Sequence, residues 1–193
     1  MKVIDILKDA CTFLQMEDEY DYLSSYNIDS NTFSNESSDS VSRNVKLLSK
    51  CVSLVVDTIC SEYIKLKDSV YVYTIDGRIK YSDISENQVY SIVSVEDDGG
   101  LVQFSDYNSE ICVSNSGRYR VTYLYGISNL DYDSDLSIFR LPSKDIAYGV
   151  ISEFLYIEKL YDDASIWDKR FKSTILNLLS NKKHLYIKPR RWY

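Results

Sequence analysis

The period of the apolar positions changes twice along this chain, and each change marks a boundary. From Lys2 to about Gln15, Val3, Leu7, Ala10, Cys11 and Leu14 recur at helical spacing, which predicts a short amphipathic helix that needs tertiary support. From Glu17 to Ser40 the pattern stops. Glu17, Asp18, Glu19, Asp21, Asp29, Glu36 and Asp39 occur there without a single Lys or Arg, among frequent Ser and Asn. That composition predicts a long acidic loop, with Tyr20, Tyr22, Leu23, Tyr26 and Phe33 ordering part of it against a neighbour. The longest helical pattern follows over Val41–Lys65. Its apolar face is Val45, Leu48, Cys51, Val52, Val55, Ile59 and Tyr63, and Ser42 stands where a cap belongs.

Beyond residue 66 the period falls to two. Val70–Thr74 reads as a strand, Asp76-Gly77 as a tight turn, and Arg78–Tyr81 as the return strand. In Val89–Val95, strict alternation puts Val89, Val93 and Val95 on one face and Tyr90 and Ile92 on the other. Asp98-Gly99-Gly100 turns the chain into Leu101–Phe104; Glu110–Val113 and the turn Asn115-Ser116-Gly117 come next. Arg118–Tyr125 is the clearest strand, with Tyr119, Val121, Tyr123 and Tyr125 on one face. About six short strands at this spacing predict an antiparallel sheet or small barrel.

Helical spacing returns after Leu141. Pro142 and Ser143 open a helix, with Ser143 as cap and Asp145 at the positive end of the dipole. Ile146, Val150, Phe154, Ile157 and Leu160 form its apolar stripe, widened by Ala147, Ile151 and Leu155. Gly149 costs about 1 kcal/mol in such a helix and admits a close neighbour. Asp162 and Asp163 start a second helix whose buried face is Ile166, Trp167, Phe171, Ile175, Leu178 and Leu179. The short link makes the two helices antiparallel neighbours. The pattern ends at Asn181. Pro189 then forbids a helix interior, and a basic, aromatic stretch closes the chain.

The reading is therefore an α+β fold: a helical bundle formed by the N- and C-terminal helices, an inserted antiparallel β module, and an extended C-terminal arm. The parts are 1–66 (helices with the acidic loop), 67–140 (β-rich insertion), 141–181 (helical hairpin) and 182–193 (arm). No linker composition separates them.

Charge sharpens the picture of the arm. The net charge is −7, yet residues 166–193 hold eight Lys or Arg against one Asp, while the first 165 residues hold fourteen against twenty-eight. An acidic body with a basic arm suits assembly of one copy on the next. Aromatic and Arg residues are common interface anchors, so Lys182, Lys183, Tyr186, Lys188, Arg190, Arg191, Trp192 and Tyr193 are the candidate partner-binding residues. Eighteen tyrosines, rigid and amphipathic, point to half-buried surface such as subunit contacts.

No pattern carries catalysis. The lone His184 lies in the arm, no GxGxxG or GxxxxGK occurs, and nothing singles out one carboxylate pair. Cys11, Cys51, Cys60 and Cys112 lack CxxC spacing and read as free thiols of a reducing cytoplasm. Asp131, Asp133 and Asp135 alternate like the start of a calcium loop, but Leu136 and Pro142 stand where Gly and Glu are needed. Glu17–Asp21 is no better as a metal site. The expectation is no enzyme activity, no cofactor and no metal. No apolar run reaches membrane-spanning length and no signal peptide is seen.

The run AYGVISEFLYIEKLYDDASIWDKRFKSTI, followed by the KPRRW ending, resembles the head–tail connector (adaptor) proteins of tailed bacteriophages and prophages. Ala147–Gly149, Glu153, Ala164, Trp167–Arg170 and Arg190–Trp192 carry the resemblance, which spans about the last fifty residues; the N-terminal helices match only in layout. The resemblance implies a structural virion protein at the head–tail junction, assembled in the host cytoplasm. It would form a ring under the portal protein, commonly twelvefold, and bridge to tail or second-ring proteins around a DNA channel. DNA would pass without sequence-specific binding, as an acidic body favours. The alternative reading is a nucleic-acid-binding module using the arm as a basic, aromatic clamp on phosphates.

Overall fold

The computed structural model describes residues 1–27, 32–33 and 38–181. Among the described residues the chain forms an α+β fold with two compact units: those of 1–55 together with 131–181, and Val56–Leu130. The second unit thus begins within the long helix, and the stretch from Asp131 to Arg140, placed with the β module on pattern, belongs to the helical unit.

The helical unit contains α1 (Val3–Leu14), α2 (Glu17–Ser24), most of α3 (Asp39–Thr58), and, late in the chain, α5 (Ser143–Ile157) and α6 (Tyr161–Asn181). Two short strands, β1 (Tyr26–Asn27) and β2 (Thr32–Phe33), pair antiparallel. Helix α1 buries Val3, Ile4, Ile6, Leu7, Ala10 and Cys11 and packs on α5 and α2, while α5 packs along α6. In α5 the apolar residues encircle more than a stripe: Ile146, Ala147, Val150, Ile151, Phe154 and Leu155 are all buried, as is Gly149. Of the two polar residues that α5 buries, Asp145 and Ser152, the Ser152 hydroxyl donates to the Ala164 carbonyl at 2.9 Å. The start of the chain is tied down by the stretch after Leu130. Backbone N–H groups of Val3 and Ile4 donate to the carbonyls of Ser134 and Tyr132, and Leu136 N–H donates to the Met1 carbonyl.

The second unit holds β3 (Leu66–Thr74), β4 (Arg78–Lys80), the single turn α4 (Tyr81–Ile84), β5 (Val89–Asp97), β6 (Gly100–Val102), β7 (Phe104–Asp106), β8 (Glu110–Val113) and β9 (Gly117–Tyr125). Two antiparallel sheets form, ordered β3-β9-β5-β6 and β4-β8-β7. Ile79, Ile111 and Val113 of the smaller sheet share one core with Val95, Tyr119, Val121 and Tyr123 of the larger. Gly77 makes the β3–β4 turn with φ +75, and a Cβ there would strike the Val113 carbonyl oxygen.

Several sequence expectations are corrected. The acidic stretch is not wholly a loop: Glu17–Ser24 is helical, because its acids fill the first turn, where the dipole favours them, and Leu23 and Glu19 bury. Tyr22, Tyr26 and Phe33 do order it, clustering with Tyr132; the Tyr22 and Phe33 rings stack at 4.2 Å. Ser42 does not cap α3; the Ser38 hydroxyl accepts from Val41 N–H, one turn earlier. The long helix is α-helical only to Thr58 and ends in a π-turn over Ile59–Tyr63. Ser143 is not the cap of α5, whose N-cap is Pro142 without a side-chain bond. Ile157 and Leu160 are exposed, since α5 ends at Ile157. Ile166 faces solvent at 53% exposure; the buried line of α6 is Ala164, Phe171 and Ile175, spaced seven and four. In β5, irregularities at Val89/Ser91 and Ile92/Ser94 shift the alternation. Val89, Ile92 and Val95 therefore line the core and Val93 is exposed.

Candidate protein-binding surfaces

All eight residues expected to bind a partner, Lys182, Lys183, Tyr186, Lys188, Arg190, Arg191, Trp192 and Tyr193, lie outside the described residues. The element that leads to them is described to its end. Helix α6 runs from Tyr161 to Asn181, and its packing on α5 depends on small residues. Ala147 and Ala164 are fully buried. A Cβ on Gly149 would come within 2.9 Å of Val55 Cγ1 and 3.0 Å of the Phe171 ring, so only Gly lets α3, α5 and α6 approach this closely.

Trp167 is held from two sides. Its ring sits 5.7 Å from that of Phe13 and 5.5 Å from that of Tyr148, and Phe13 and Tyr148 are themselves 5.5 Å apart. The Arg170 guanidinium lies over the Trp167 ring, 4.9 Å from its centre. Lys172 pairs with Asp168 one turn back at 2.8 Å. Leu176, 56% exposed, continues the outward face begun by Ile166. The hairpin thus shows apolar and cationic side chains on a packed support.

A second surface, missed on pattern, lies on the outer face of the larger sheet. Register places Tyr71 opposite Arg120, Tyr73 opposite Arg118, and Glu96 opposite Arg120 on the other side. Tyr71 and Tyr73 are 60% and 69% exposed. The Arg118 guanidinium covers the Tyr71 ring, and Arg120 donates from both Nε and a terminal nitrogen to the Ser69 hydroxyl, at 3.3 and 3.2 Å. Neither arginine joins an ion pair among the described residues. Asp97 and Asp98 border the adjoining cleft of about 300 Å³. Exposed tyrosines with pre-set arginines have the composition of an interface centre. The signal was present in the sequence: Tyr71 and Tyr73 alternate with Val70 and Val72, and Arg118 and Arg120 with Tyr119 and Val121.

No protein-family model matches the chain, nor does any curated protein.

Several other polar groups hold the fold together. Lys2 pairs with Asp133, and the terminal ammonium with Asp135 at 3.2 Å. Two of the three alternating aspartates are thereby committed to the start of the chain. Ser137, through its hydroxyl and backbone N–H, and the terminal ammonium hold the Asp135 carboxyl down at about 2. The Tyr90 hydroxyl donates to Asp57 and that of Tyr81 to Asp106. Burial and the carboxylate partner push both phenols up, Tyr81 to about 12. A phenol held protonated beside a carboxylate is a structural donor, not a base poised near neutrality. The four cysteines are free thiols; burial, with Glu19 and Glu153 nearby, pushes Cys11 and Cys51 up to about 12.

Proposed function

We propose that this chain is a structural virion protein of a tailed bacteriophage, a head–tail connector that joins a ring beneath the portal and bridges to the tail around the DNA channel. One observation carries this reading. The residues that resemble connector proteins are the ones that build the hairpin: Ala147, Gly149 and Ala164 at its tight contacts, Trp167 and Arg170 at its aromatic lock. Residues 182–193 follow this hairpin in the sequence, and their Lys, Arg, Trp and Tyr content suits a partner surface offering carboxylates and apolar pockets. The Tyr71–Arg120 face of the β unit supplies a second contact surface, toward tail or second-ring proteins, which a bridging role requires.

Capture by the portal protein of the same phage tests the reading. The intact chain binds portal and a chain ending at Asn181 loses it. Failure of the intact chain to bind portal rejects the connector role; binding by both forms moves the contact to the helices.

A further inference from the structure

A groove of about 800 Å³ runs beside α3 and the end of α5. Arg43, Lys46 and Lys50, spaced three and four along one face of α3, line it with Lys159. Leu47 and Ile157 add apolar surface to its lining. None of the four cations joins an ion pair among the described residues. Four cations against the two acids Asp39 and Glu158 give this lining a net positive charge on a chain of net charge −7.

The chain carries a complement to this groove elsewhere in the same unit. On α2, Glu17, Tyr20 and Asp21 share one face by their spacing of three and four. Both carboxylates are exposed, Tyr20 is 40% exposed, and neither acid is ion-paired among the described residues. These residues line a different cavity, sharing no residue with the groove.

We infer that α2 of one copy docks in the α3–α5 groove of the next, with Glu17 and Asp21 meeting Arg43, Lys46, Lys50 and Lys159 while the Tyr20 ring lies on Leu47 and Ile157. Each copy then offers one donor face and one acceptor groove, a head-to-tail contact that repeats and closes into a ring when its rotation allows. Nucleic acid is the poorer occupant. Asp39 and Glu158 stand in the groove wall and the body as a whole is acidic, which opposes a polyphosphate, whereas separate carboxylates can pass between them. The inference rests on the ring-forming reading above but uses neither the arm nor the portal.

Sedimentation velocity on the full chain, over rising concentration and at two salt levels, tests it. The intact chain self-associates, less so in salt. The double variants K46E/K50E and E17K/D21K each associate at least about tenfold more weakly. An equal mixture of the two regains association, because reversed groove meets reversed helix; that recovery also shows that both variants are folded. An intact chain that stays monomeric, reversals without effect, or a mixture that does not recover overturns the inference. So does retardation of duplex DNA that K46E/K50E abolishes while self-association is unchanged, which would make the groove a phosphate site. Portal capture by all forms without self-association leaves the connector reading standing and removes this one.

Discussion

The Arg118 guanidinium lies 4.5 Å from the centre of the Tyr71 ring, reaching diagonally across the β3–β9 pairing, in which Tyr71 faces Arg120 and Tyr73 faces Arg118. The contact orients the guanidinium plane on the ring, so a carboxylate reaching this face would meet an ordered donor. A double-mutant cycle on Arg118→Ala and Tyr71→Ala measures it by urea unfolding. The expected coupling is about 0.5–1 kcal/mol, the scale of an exposed cation–π pair. Zero coupling would mean that the ring does not hold the arginine.

Gly149→Ala sets two effects against each other. Alanine favours a helix by about 1 kcal/mol over glycine. Its Cβ, however, would press on Val55 Cγ1 at 2.9 Å and on two Phe171 ring carbons at 3.0 and 3.1 Å. Overpacking of this kind costs about 1–3 kcal/mol, so the variant should be less stable in urea. A stabilised variant would show that the three helices do not meet there.

The free thiols should separate by reactivity. Cys11, Cys51 and Cys60 are buried and burial raises all three; Cys112 is half-buried. A thiol reagent at pH 8 should label Cys112 in the native protein and the other three only on unfolding. Labelling Cys51 as fast as Cys112 in native buffer would contradict the packing of α3.

Acid should loosen the tie at the start of the chain. The Asp135 carboxyl is held at about 2, below its ordinary 3.8, by Ser137 and the terminal ammonium. A depressed folded value means that the stabilisation is complete above the ordinary value and is lost as pH falls from about 3.8 through 2. Asp135→Asn should remove that part of the acid dependence, read as a flatter fall of melting temperature below pH 4. An unchanged slope would exclude Asp135 as its source.

The irregular β5 strand gives a test on neighbouring residues. Ile92 packs against the core of the second unit and Val93 is 45% exposed. Ile92→Ala should cost about 2 kcal/mol or more, and Val93→Thr about 0.5 kcal/mol or less. Reversal of that order would restore strict alternation.

Much of this architecture was legible because most elements obey one period. Val45, Leu48, Cys51, Val52, Val55 and Ile59 of the long helix and Tyr119, Val121 and Tyr123 of β9 follow simple spacing and are buried as read, whereas Tyr63 and Tyr125, read on the same faces, are half-buried. The misreadings arise where a second effect intervenes. Residue spacing alone does not reveal the two register shifts in β5. Helix α2 is polar enough to look like loop, and its order comes from Leu23, Glu19 bonded to Asn44, and the ring cluster that includes distant Tyr132. Ile166 satisfied an apolar count, but Ala164 fixes which side of α6 is inward. The sheet surface was hidden for another reason: alternation identified the buried Tyr119 and Val121, and only strand register brings Arg118 and Arg120 beside Tyr71 and Tyr73.

The connector claim itself is tested most directly on particles. Antibody to this chain, gold-labelled and viewed by electron microscopy on purified virions of its phage, should mark the head–tail junction and nowhere else. Particles without label, or label on the capsid shell or the tail tip, would contradict the account.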